Sequence, residues 1–70
     1  MIPIERDRLM LERARLEADV VSVKGQLADL EERKQFYDLK IYDRDKALFE
    51  ARIRSAERGL AEIDAKLASG

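Results

Sequence analysis

Side chains able to do chemistry are few in this sequence, and their spacing suits little of it. There is no histidine and no cysteine, which removes the usual general acid–base group, the thiol nucleophile, the ordinary zinc ligands and any disulfide. The serines are Ser22, Ser55 and Ser69, and none stands in a nucleophile-elbow or glycine-rich setting. Lys24-Gly25-Gln26 lacks the further glycines and the Lys-Ser/Thr end of a phosphate loop. The run Asp38-Leu39-Lys40-Ile41-Tyr42-Asp43-Arg44-Asp45 invites a calcium reading. A calcium loop, however, needs more oxygen ligands, a sharp glycine turn and a distal glutamate at fixed spacing. A helix cap or solvated charge accounts better for these aspartates. No catalysis, cofactor or metal is expected.

Recognition is the chemistry that remains. The aromatics Phe36, Tyr37, Tyr42 and Phe49 fall between residues 36 and 49, alongside Lys40, Arg44 and Arg52. Aromatic and arginine side chains are the types most enriched at binding hot spots, while large rings also commonly plug the end of a bundle. Phe49 falls on an apolar seam and reads as core. Phe36, Tyr37 and Tyr42 are open to either role, with Arg44 and Arg52 as further candidate partner-binding residues. Arg52, Arg54 and Arg58 could mark a nucleic-acid footprint. Glu50, Arg54, Arg58, Glu62 and Lys66 are spaced by four, however, so a solvated face of mixed sign is the better reading.

The elements that must position these residues are helices. Pro3 suits a first helical position, and Glu5 and Asp7 oppose the helix dipole, so a first helix is expected from about residue 3 to 34. Its large-residue seam is Leu9, Leu16, Val20, Val23, Leu27 and Leu30, a heptad pattern interrupted at Arg13. A second stripe of smaller residues, Leu11, Ala14, Ala18, Val21, Gly25 and Ala28, repeats the 3,4 spacing. Read as lying beside the first, it makes the wide apolar face of a bundle helix with more than one neighbour. Gly25 on that stripe suggests close packing. A second helix, about 39–68, carries Phe49, Ile53, Ala56, Leu60, Ile63 and Leu67, extends back through Lys46 to Tyr42 and Leu39, and finds a natural stop at Ser69-Gly70. The two seams are out of phase, which places a turn near residues 34–38 with Asp38 as N-cap, and Asp43 or Asp45 as a second possible cap. The alternative is one continuous coiled-coil helix of about 65 residues, near 100 Å, with a phase slip in its middle.

At the level of the molecule, 70 residues make one small helical domain, residues 1–70, that buries too little surface for a comfortable monomeric core. The expected fold is an all-α, antiparallel two-helix coiled-coil hairpin that dimerises into a four-helix bundle. Charged residues make up 41% of the chain but the net charge is −1, and neither half holds a basic excess. That argues against nucleic acid as partner. No apolar run approaches the roughly 20 residues of a membrane span. The start, Met1-Ile2-Pro3-Ile4-Glu5, reads as a mature terminus without a signal segment, with the cytoplasm as the expected location. The layout of paired heptad seams in a short hairpin resembles small dimeric helical-hairpin regulators. These include the plasmid copy-number RNA-binding bundles of the Rop type and the short inhibitors and anti-activators of phages and mobile elements. The resemblance is one of size, heptads and layout over the whole chain, and it transfers no site residue. It implies a homodimer that binds and blocks a host protein such as a transcription regulator. A structural coiled-coil scaffold is the alternative, and an RNA- or DNA-binding bundle the third reading. The Rop kind of RNA binding needs a basic helix face, which here is interleaved with glutamate.

Overall fold

A computed structural model describes residues 2–69. Helix α1 spans Pro3–Glu32 and helix α2 spans Leu39–Ser69, with a short 3-10 turn at Lys34–Phe36 between them. The chain is thus an all-α antiparallel hairpin of 51 × 14 × 12 Å, and the continuous-rod alternative does not hold. Gly70, half of the expected stop, lies outside the described residues. Among those described, no helix is long and apolar enough to cross a membrane.

Local chemistry sets both ends of the reversal. Pro3 takes the first helical position, where its missing N–H costs nothing, and the Ile2 carbonyl accepts from Glu5 N–H at 3.1 Å and Arg6 N–H at 3.2 Å. Helix α1 stops at Glu32. Arg33 turns to φ −99°, ψ 8°, and its N–H still donates to Asp29 O at 3.1 Å. The chain then tightens, with Phe36 N–H donating to Arg33 O at 2.9 Å and Tyr37 N–H to Lys34 O at 3.2 Å. Tyr37 is extended, and the Asp38 carboxylate accepts from Lys40 N–H at 2.8 Å, so Asp38 is the N-cap of α2. No described residue has a positive φ, so the reversal uses no glycine. Arg33 and Lys34 lie just past α1, beside its C-terminal carbonyls.

One seam from each helix forms the interior. Val23 and Leu30 of α1 and Tyr42, Ala56 and Ile63 of α2 are buried, while Leu9, Leu16, Val20, Leu27, Phe49, Ile53, Leu60 and Leu67 are half-buried between them. The expected heptad seams therefore face each other. Arg13, at the break in the first seam, is half-buried and reaches across to Asp64, its Nε 2.7 Å from Oδ1, while its Nη1 pairs with Glu17. Those two carboxylates hold the Arg13 guanidinium above its ordinary pKa, the Asp64 hydrogen bond contributing most. The helices are closely packed at Gly59, where an added Cβ would lie 3.0 Å from Leu16 Cδ1.

Two expectations about the seams are corrected. Leu39 is not part of the interior; it is 66% exposed at the start of α2. The small-residue stripe is not beside the large seam. A two-residue offset from Leu9 to Leu11, at about 100° per residue, carries it about 160° round the helix on average. All six of its members are exposed, Leu11 and Val21 at 72% each, and Gly25 has no atom within 4 Å of where a Cβ would stand. Within the hairpin Gly25 packs closely against nothing. The stripe lies on the outer face of α1, facing away from α2.

Candidate recognition surface at the turn

Phe36 and Tyr37 are carried by the reversal itself, Leu39 and Ile41 by the first turn of α2. Phe36 is 79% exposed and Tyr37 39% exposed, and Leu39 and Ile41 are exposed with them. The hairpin tip therefore exposes aromatic and apolar side chains, with Tyr37 and Leu39 sharing one groove and Ile41, two residues further on, about 160° round α2 from Leu39. That open groove, of about 480 Å³, is lined by Glu31, Glu32, Lys34, Gln35, Tyr37, Leu39 and Tyr42.

Tyr42 belongs to the floor of that tip and not to its open surface. It is 4% exposed, so of its two possible roles the structure places it in the core. Its hydroxyl donates to Glu31 Oε1 at 2.5 Å, and Lys46 Nζ lies 3.5 Å from the same oxygen. The Tyr42 ring is bracketed by Lys34 Nζ at 4.9 Å and Lys46 Nζ at 5.7 Å from its centroid, both within cation–π range. The hydrogen bond from Tyr42 holds the Glu31 carboxyl below its ordinary pKa, with the two lysines adding to the effect. The same bond, with burial, pushes the Tyr42 hydroxyl up. Lys46 is raised chiefly by its charge interaction with Tyr42 and then with Glu31. This four-residue network ties the end of α1 to the start of α2 and holds the tip in place.

The candidate arginines are not gathered with the aromatics. Arg44 is exposed and its Nε pairs with Asp45 Oδ1 at 3.2 Å. Arg52 stands about 20 Å along α2 from Leu39, at 1.5 Å per residue, on a separate shallow groove lined also by Leu16, Asp19, Val23, Ser55 and Ala56. Phe49 is half-buried on the seam. Among the described residues, no three carboxylates come together as a metal site.

Sequence reasoning missed Leu39 and Ile41 as surface residues, because Leu39 continues the spacing of the second seam and Ile41 sits one position off it. It also missed Glu31 and Lys34 as partners of Tyr42. Their proximity follows from where the chain reverses, which no local spacing states. Comparison with protein-family models, with curated proteins and with solved structures finds no match in any of the three. The tip is accordingly read from its own chemistry.

Proposed function

We propose that this chain is a non-enzymatic protein-interaction module of the regulator or inhibitor kind. It works as a homodimer whose turn end covers a surface on a host or pathway protein such as a transcription regulator. The supporting observation is the exposure of Phe36, Tyr37 and Leu39 at a turn that Asp38 and the Tyr42 network hold fixed, Tyr37 and Leu39 lining one groove. Exposed rings on a fixed turn lose little conformational entropy on binding, which is the character of a hot spot. A groove or apolar patch on the partner is the complementary surface. A second reading, a structural coiled coil whose function is self-assembly, is favoured by the open outer face of α1.

Affinity capture from host-type lysate, run with and without nuclease, tests the proposal. One stoichiometric protein that survives nuclease, and is lost with the double variant Phe36→Ser, Tyr37→Ser while helicity is unchanged, is the expected outcome. Recovery of the bait alone transfers the case to the scaffold. Loss of all captured material on nuclease treatment transfers it to nucleic acid.

A further inference from the structure

The outer face of α1 is apolar from Leu11 to Ala28, bounded by Asp7 and Glu32. Leu11 and Val21, each 72% exposed, lie on it with Ala14, Ala18, Gly25 and Ala28, Met10 stands at its border and Ile4 beyond Asp7. The outer face of α2 is different in kind. Its alanines are interrupted by Arg54 and Arg58, and large apolar side chains on it are confined to its first third.

We infer that the occupant of this face is the same face of a second copy, lying antiparallel, so that the homodimer proposed above is built on α1. The inference rests on that reading for self-association and adds the surface and the register. Overlapping the stripe fully on itself sets Leu11 against Ala28 of the second copy, Ala14 against Gly25 and Ala18 against Val21. The bordering residues then meet as Arg8 with Asp29 and Glu17 with Lys24, each twice by the two-fold axis. Arg8, Lys24 and Asp29 make no ion pair within the chain among the described residues, so these charges are available to the second copy.

Neighbouring registers lack this match. A shift of one heptad one way opposes Arg15 to Arg15 and Glu17 to Glu17; the other way gains Arg15 against Asp29 but opposes Lys24 to Lys24 and Glu17 to Glu31. A parallel pair keeps only the Lys24–Asp29 contact and stacks Asp7 on Asp7 and Glu32 on Glu32. The favoured register ends where Asp7 meets Glu32 of the second copy, a like-charge contact that closes the apolar stretch at each end. The open space at Gly25 admits the Ala14 methyl, so the two helix backbones approach closely there.

The geometry also fixes the shape of the assembly. A square bundle needs two contact faces about 90° apart on each helix, whereas those of α1 are about 160° apart. The four helices therefore form a layer in the order α2, α1, α1, α2, a flat form of the expected four-helix bundle.

The absence of cysteine makes the test clean. The single variants Leu11→Cys and Ala28→Cys are mixed in equal amounts, oxidised and weighed by mass spectrometry, with sedimentation of the unmodified chain in parallel and circular dichroism to confirm helicity. A dimer in sedimentation and a product dominated by the mixed disulfide are expected. Lys24→Glu should weaken association about tenfold, and adding Glu17→Lys should restore it. A dimer that yields only like-with-like disulfides, or none, overturns this face and register while leaving self-association standing. A monomer at all concentrations overturns self-association itself, leaving capture at the tip as a separate result.

Discussion

Tyr42 and Glu31 carry the tightest coupling between the helices near the tip, and their pKa directions fix how it responds to pH. Glu31 is held below the ordinary glutamate value when folded. Its contribution is therefore present above the unfolded value and is lost as pH falls through the lowered folded one. Tyr42 is raised, so its contribution is present below the ordinary tyrosine value and is lost as pH rises through the raised one. Thermal melts followed by circular dichroism across acid pH should show a steeper fall for the natural chain than for Glu31→Gln, which has no charge to lose. Equal slopes would mean the bond contributes nothing. None of this coupling was legible in the sequence, where Tyr42 and Glu31 are eleven positions apart with nothing to bring them together. Arg13 teaches the same lesson, since its break in the first seam was plain but its partner Asp64 depends on inter-helix register.

At the scale of the helix, spacing and phase carry different information. The 3,4 repeat identified both seams, because burial on one side of a helix leaves that period and no other. It said nothing about where the small stripe lay, since the same period repeats on every side of the cylinder; the offset of two residues decides that. The glycines separate these cases experimentally. Gly25 faces open space, so Gly25→Ala should stabilise the dilute hairpin by about 1 kcal/mol through helix propensity alone. Gly59 faces Leu16 at contact distance, so Gly59→Ala must shift that side chain and should gain clearly less. Chemical denaturation of the two variants at low concentration measures the difference, and an equal gain would mean that Leu16 yields without cost. Asp38 was readable as a cap because an aspartate ahead of a helical run accepts from the first N–H groups, although Asp43 and Asp45 fitted the same rule and only the structure separates them. The end of α1 was harder to place, since it stops without glycine or proline.

The whole molecule is a hairpin because two seams of matching length can bury each other only if the chain reverses. Its Cα radius of gyration is 15.9 Å, whereas a straight rod of about 100 Å would have one of about 29 Å. Small-angle scattering at the lowest usable concentration should give a value close to the smaller figure, and growth towards a broader, flatter particle at higher concentration. A value near that of the rod would overturn the reversal. The reversal itself uses only right-handed and extended backbone, and that has a consequence for variation. No position in it demands glycine, so with Asp38 kept as the cap and Lys34 kept against Tyr42, the side chains of Arg33, Gln35, Phe36 and Tyr37 can be exchanged without backbone strain, proline aside where an N–H is donated. The tip is thus a display platform whose recognition chemistry can be rewritten while the stem stays as it is, and selection or a library could retarget it without refolding the protein.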